Sequence, residues 1–234
     1  MKRPQAIIFD VDGTLAETER DGHRPAFNQA FAEHALDWHW DAESYGRLLD
    51  ITGGKERIRH YAERQAPAIA ARPDFDDLMK KLHAAKTAHY VRRVEQGKLP
   101  LRPGVAELIA AARRAGIRLA IATTTSPENV AALLRASLAP DSAEWFEVIG
   151  AGDVVPAKKP APDIYHWVLA RLGLPGGACL AIEDSANGLR AALGAGIPTV
   201  VTVSEYTAGQ DFRGALQVLA GLEGFGWPNE ARNV

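Results

Sequence analysis

Ile7-Ile8-Phe9-Asp10-Val11-Asp12-Gly13-Thr14-Leu15 is the stretch on which the reading of the fold turns. An apolar run ends in two carboxylates one residue apart, followed by Gly and Thr. Read as a buried strand, it delivers Asp10 and Asp12 to one side of its carboxyl end, because residues two apart on a strand share a face. That end is where open α/β sheets bind ligands. Two carboxylates on one side repel, so burying both needs a cation or a shared proton. A hard divalent ion with oxygen ligands meets that need, and Mg2+ suits a phosphate substrate. From spacing alone, a strand followed by a solvated Asp-Gly turn reads equally well. The rest of the chain decides between the two.

Downstream of Leu15 the pattern changes. Residues 16–97 contain no convincing strand. Phe27, Ala30, Phe31 and Ala35 fall at helical spacing, and Trp38-His39-Trp40 follows. Leu48, Leu49 and Ile51 close a second helix before Gly53-Gly54, Ile58 and Tyr61 mark a third, and 66–74 reads as a loop with two prolines. A long amphipathic helix is expected over 78–94, with Leu82, Ala85, His89 and Arg93 on one side. The Trp38/Trp40 pair reads as core of this helical unit. His60, His83 and His89 have no metal-ligand spacing.

Pro100-Leu101-Arg102-Pro103-Gly104 is a breaker cluster and a second hinge. Beyond it, helices alternate with short continuous apolar runs at 117–122, 146–150, 179–182 and 199–203. Ser126-Pro127 starts a helix with an N-cap and a proline at its first position. Continuous rather than alternating strands between helices predict an α/β fold with a doubly wound parallel sheet covered on both faces. The expected division is a core from 1–15 and 98–234, with an all-helical insert over 16–97. No period repeats. The tail from Gly221 is Gly/Pro/Asn-rich, with Leu222, Phe225 and Trp227 as residues able to dock.

Four polar clusters each follow a predicted strand or lead into a helix: Asp10/Asp12, Thr123-Thr124-Thr125, Lys158-Lys159-Pro160 and Glu183-Asp184. Each has an ordinary reading alone: a capped turn, a solvated lysine pair, favourable charge at a helix start. In a parallel sheet, however, all strand carboxyl ends lie along one edge. There the four clusters supply acids for a metal, hydroxyls and N–H groups for phosphate oxygens, and a lysine to balance charge.

The order Asp10-Val11-Asp12-Gly13-Thr14, Thr123, Lys159-Pro160, Glu183-Asp184 resembles the haloacid dehalogenase-like phosphatase superfamily, and the helical insert resembles its helical-cap subclass. The stretches 16–19, 52–58 and 122–126 look most like the CbbY-type sugar-bisphosphate phosphatases, which act on xylulose 1,5-bisphosphate, an inhibitor of Rubisco. The resemblance implies a Rossmann-like core and roles for single residues. Asp10 would attack phosphorus and form an aspartyl-phosphate. Asp12 would protonate the leaving alkoxide and then activate water. Mg2+ would sit on Asp10, the Asp12 backbone carbonyl and Asp184, with Glu183 close by. Thr123, the Thr124 N–H and Lys159 would hold the phosphoryl oxygens.

The insert is expected to be a lid hinged near residue 16 and over 98–103. Gly53-Gly54-Lys55-Glu56-Arg57 reads as a helix start aimed at the cleft, where Gly54, Lys55 and Arg57 would bind a distal phosphate. Glu19 and His23 lie where the lid meets the site, in position to bind sugar hydroxyls. The spacing there carries an extra residue around Asp21-Gly22, which weakens the case for His23. Arg24 reads first as a surface charge and second as a phosphate contact. A phosphosugar mutase shares the core and the aspartyl-phosphate. A phosphoglycolate-type or broad sugar-phosphate phosphatase needs no second anion site. A signalling receiver domain is about half this length and carries its acids on separate strands.

Composition bounds the remaining classes. The chain has 234 residues, 47% apolar, enough for a substantial core. A net charge of −2 gives no argument for nucleic acid or an anionic membrane, and no apolar run approaches the ~18 residues of a membrane span. The strand begins too early to leave room for a signal peptide. The one cysteine, Cys179, sits in an apolar run and reads as packing in a reducing compartment. The expectation is a monomer acting on a small phosphorylated sugar, in a bacterial cytoplasm or, after loss of a transit peptide, an organelle stroma.

Overall fold

A computed structural model describes residues 3–226 of the chain. Its sheet has six parallel strands in the order β3-β2-β1-β4-β5-β6. These are β1 Ala6–Phe9, β2 Arg118–Ala122, β3 Val148–Gly150, β4 Cys179–Glu183, β5 Thr199–Thr202 and β6 Gln217–Leu219. β1, β4 and β5 are buried along their whole length, which is why they read as continuous apolar runs. Alternate residues feed two cores. Ile7, Phe9, Leu119, Ile121, Leu180 and Ile182 pack under α6 (Val105–Arg114) and α7 (Pro127–Ser137). Ile8, Ala120, Ala122 and Ala181 face α8 (Asp163–Leu172) and α9 (Ala186–Gly194). The small residues on this second face let its helices approach closely; a β-carbon on Gly150 would press on Val168. A fully buried Ile or Phe contributes roughly 1.5–3 kcal/mol relative to exposure, so the three central apolar residues of β1 anchor the whole edge.

Between β1 and α6 the chain builds a helical unit: α1 Arg24–Glu33, α2 Ala42–Leu48, α3 Gly54–Gln65, α4 Pro67–Ala70 and α5 Phe75–Glu95. It has its own core of Phe27, Phe31, Trp38, Trp40, Tyr45, Ile58 and Leu82. Trp40 is fully buried, 4.8 Å from the rings of both Phe27 and Phe31. Asn28 exchanges two hydrogen bonds with the Trp40 backbone. The two chain passages into and out of this unit lie side by side: Ala16 bridges Leu101, and Arg102 N donates to Leu15 O at 2.8 Å.

The structure departs from the sequence reading in four places. β1 ends at Phe9, so Asp10 and Asp12 occupy the loop beyond it rather than one strand face. The 66–74 stretch contains the single turn α4. β6 was not foreseen, because an exposed three-residue edge strand has no continuous apolar run. The buried face of α5 is Phe75, Met79, Leu82, Lys86, Tyr90 and Val94, and Ala85, His89 and Arg93 lie beside it, only partly buried. From Leu82 the expected stripe stepped three residues to Ala85, whereas the buried face steps four to Lys86, Tyr90 and Val94. Leu222 is buried and Phe225 packs on the core; Trp227 lies outside the described residues.

Candidate active site

Strand register assembles the site. Phe9 pairs with Ile121 on one side and Ile182 on the other. The next residue on each strand is therefore Asp10, Ala122 and Glu183, level at the carboxyl edge. Lys159, which precedes a cis Lys159–Pro160 peptide, reaches across all three. Its Nζ donates to Asp10 Oδ1 at 2.7 Å, Ala122 O at 2.8 Å and Glu183 Oε1 at 2.6 Å. Tyr165 also donates to Glu183 Oε1, at 2.5 Å. Glu183 thus holds the lysine that the sequence assigned to phosphate.

Acid oxygens of Asp10, Glu183 and Asp184 lie within 4.8 Å of one another. Ser204 Oγ donates to Asp184 Oδ2 at 2.9 Å. The same carboxylate fills the space a β-carbon on Gly13 would need, and Gly13 also has φ +82°, so only glycine fits there. Three buried carboxylates against one ammonium leave a formal charge of −2. Burial is the largest effect; with repulsion from Glu183 and Asp12 added, it overcomes the pull of Lys159 and raises Asp10 to about 8. Burial and the neighbouring Asp10 and Glu183 push Asp184 well up. A divalent cation cancels that charge, and an all-oxygen donor set suits Mg2+. The residues present fit such an ion.

Asp12 faces the helical unit instead. Thr18 donates to its Oδ1 at 2.6 Å, and His23 Nε2 lies 2.9 Å from the same oxygen. Burial pushes this carboxyl up, but His23, Thr18 and Lys86 outweigh it and hold it at about 2. Thr18 and His23 are five residues apart. At about 100° per residue an α-helix would set them about 140° apart around its axis. Residues Glu19–His23 form a π-turn closed by Arg24 N to Glu19 O, and an i→i+5 closure returns position five to the same side. The extra residue that weakened the case for His23 is absorbed in this turn. His23 then stacks on Tyr90, ring centroids 4.2 Å apart.

On the opposite wall, Tyr45 donates to Glu19 Oε2, and Arg57 Nη1 donates to the Tyr45 hydroxyl at 2.9 Å. Arg57 is buried and 3.8 Å from Glu19. Glu19 and Arg57 join Asp10, Asp184 and Lys159 in lining one cleft of ≈ 310 Å³, with Thr124, Asn187, Arg190 and Tyr206 at its walls. A side compartment joins Asp12, His23, Gly54, Arg57, Lys86 and Thr124. Lys86 is 4% exposed, 4.8 Å from the Phe27 ring centre and 5.6 Å from that of Tyr90. Burial lowers it to about 8.

Of the residues expected from sequence, Asp10, Asp12, Glu19, Thr124, Arg57, Lys159 and Asp184 line the main cleft, and His23 and Gly54 the side compartment. Thr123 is buried beneath it, its hydroxyl accepting from Thr125 N. Lys55 does not line either compartment: its Nζ donates to Asp153 at 2.6 Å, clasping the helical unit to the sheet domain. Sequence reasoning missed Thr18, Tyr45, Lys86 and Ser204. Only Lys86 left a signal, as a lysine in step with Leu82, Tyr90 and Val94.

Residues 4–196 match the haloacid dehalogenase-like hydrolase family. The chain belongs to that family. It is a phosphatase of the CbbY group. The plasmid-encoded CbbY protein of Cupriavidus necator is 56% identical over 218 residues, covering 93% of this chain and 85% of that one. The crystal structure of CbbY from Rhodobacter sphaeroides in complex with phosphate superposes with a TM-score of 0.88 at 49% identity, over 96% of this chain and 97% of that one. A mutant of the same protein, solved in complex with xylulose-(1,5)bisphosphate, gives 0.88 at 48% identity with the same coverage.

Proposed function

We propose that this chain removes one phosphate from a sugar bisphosphate, xylulose 1,5-bisphosphate, through a phosphoryl group carried on Asp10. The observation that carries the reading is a single cleft lined by the sheet's acid and lysine groups and by a buried arginine of the helical unit. Asp10, Lys159 and Asp184 line it from the sheet, and Glu19 and the buried Arg57, which Tyr45 links, line it from the helical unit. The relative solved with that bisphosphate supports the substrate, and its 48% identity extends over nearly the whole chain. The bacterial CbbY relatives support a bacterial cytoplasm as the place of action.

Asp10, the Asp12 backbone carbonyl and Asp184 would hold Mg2+. When bound, the ion restores the Asp10 carboxylate and offsets the negative charge of the phosphoryl group. Asp10 forms a bond to phosphorus as the bond to the sugar oxygen breaks. Asp12 gives that oxygen a proton; the approaching phosphate dianion raises its proton affinity from the low value of the substrate-free cleft. Water then attacks phosphorus, Asp12 takes its proton back, and the Asp10–phosphorus bond breaks to release phosphate. Lys159 and the Thr124 N–H hold the transferring oxygens. The helical unit over 16–97, hinged near residue 16 and over 98–103, acts as the lid on the core of 1–15 and 98–234 and shields the acyl phosphate.

The test is phosphate release with Mg2+ from xylulose 1,5-bisphosphate and its monophosphates. The wild type should prefer the bisphosphate, Arg57→Ala should lose that preference, and Lys55→Ala should keep it, since Lys55 is paired with Asp153 and does not line the cleft. Equal cleavage of monophosphates by all three proteins would reduce the reading to a general sugar phosphatase. Isomerisation of a hexose 1-phosphate without phosphate release would replace it with a mutase.

A further inference from the structure

Arg102 lies in the second passage between the helical unit and the sheet, with no contact to the cleft, yet its guanidinium is among the most heavily used groups in the protein. It is 8% exposed. Nη1 donates to Gly13 O, to Thr202 O at 3.0 Å and to Thr202 Oγ1 at 3.4 Å. Nη2 donates to Val203 O at 2.7 Å and Ala220 O at 3.0 Å. Nε faces Glu17 Oε1 at 3.1 Å, on the other passage.

Two of these partners flank Asp184. Gly13 packs its Cα against Asp184 Oδ2 with no space for a side chain. The Val203 carbonyl belongs to the peptide that carries Ser204, whose hydroxyl donates to that same oxygen. We propose that Arg102 is a positioning residue for Asp184, fixing its carboxylate from both sides through Gly13 and Ser204. The inference rests on the Mg2+ reading above. A planar five-donor fork can gather carbonyls from three chain segments at once; an ammonium is a point charge and cannot hold the same set. Through Glu17 the same fork ties the lid's first passage to the metal floor.

The test is isothermal titration of Mg2+ into the metal-free protein, alongside thermal melting, for the wild type, Arg102→Lys, Ser204→Ala and the double variant. Arg102→Lys should weaken Mg2+ binding about tenfold, Ser204→Ala a few-fold, and the double variant no more than Arg102→Lys alone, because one acts through the other. A melting temperature that falls while Mg2+ affinity stays put would make Arg102 a structural residue only. Penalties that multiply would mean that Ser204 acts independently, which also overturns the proposal. Asp184→Asn separates the two readings: if it binds Mg2+ as the wild type does, the metal assignment fails and the proposal with it. Hydrogen exchange of the wild type needs no variant to fold. Mg2+ should slow exchange across 13–16 and 202–204, and unchanged rates there would refute the coupling.

Discussion

Replacing Lys86 with methionine should make the protein more stable and a poorer enzyme. Burial lowers the ammonium from 10.5 to about 8, a drop of about 2.5 units. At about 1.4 kcal/mol per unit, keeping it charged costs roughly 3 kcal/mol at pH 7. Two rings near Nζ, Phe27 at 4.8 Å and Tyr90 at 5.6 Å, return about 1–2 kcal/mol through cation–π attraction. The net gain for Lys86→Met is therefore about 1–2 kcal/mol, or a melting temperature higher by about 3–6 °C at this chain length. The pH dependence has a definite sign. Below pH 8 both folded and unfolded chains carry the proton, so the penalty is constant. Between about 8 and 10.5 the unfolded chain binds the proton and the folded one does not, so wild-type stability rises with pH relative to the variant. Denaturant unfolding of both proteins at pH 7 and pH 9.5 measures this directly, with titrations common to both cancelling. Turnover should fall about 10- to 100-fold, because the side compartment that Lys86 shares with Asp12, Arg57 and Thr124 loses its ammonium. A methionine variant that is less stable at pH 7, with a difference that does not shrink toward pH 9.5, would refute the reasoning.

Other expected outcomes follow from single contacts. Gly13→Ala should lose about 1–2 kcal/mol from its left-handed backbone alone and displace the Asp184 carboxylate, so melting temperature and Mg2+ affinity fall together; a change in neither would show that the loop has slack. Asp153→Asn removes the partner of Lys55, an exposed pair that contributes about 0.2–1 kcal/mol, so KM should rise about two- to fivefold with kcat little changed. Added salt should move the wild type the same way, and a salt-insensitive KM would count against the clasp. Deleting Asp21 turns the five-residue spacing of Thr18 and His23 into four, which an ordinary helix places on one face. Activity should stay within about tenfold of wild type, and a far larger loss would mean that the π-turn does more than absorb a residue.

The sheet and its catalytic edge were legible because both depend on short-range pattern. Ile7-Ile8-Phe9 and Ile117–Ala122 are apolar at every second and every adjacent position but one, which only a strand covered on both faces tolerates. Parallel pairing then brings Asp10, Thr123 and Glu183-Asp184 together without further assumption. Glu183 shows the limit of that logic. Its place on the edge was foreseen, but its work was not, because whether a carboxylate meets a metal or a lysine depends on a side chain arriving from 24 residues away.

The lid side of the site resisted reading for a different reason: it depends on helix phase, and phase is read from which residues look apolar. After Leu82, Ala85 at i+3 and Lys86 at i+4 both continue a helical stripe, and the alanine is the apolar one of the two. Continuing from Ala85 rather than Lys86 rotates α5 by one residue, which takes Tyr90 off the inner face as well. The π-turn is the same problem in backbone form. An inserted residue should rotate everything after it by about 100° and carry His23 away from Asp12. The helix widens by one residue instead, and the shift is taken up within Glu19–His23 before α1 begins. Gly22 permits this, since a β-carbon there would press on the Tyr90 ring at 2.8 Å and on Leu99 at 2.9 Å. The glycine next to the anomaly was therefore the readable clue. A sequence offset beside a glycine, on a helix that must deliver a side chain to a fixed carboxylate, argues for a local bulge rather than for a lost residue.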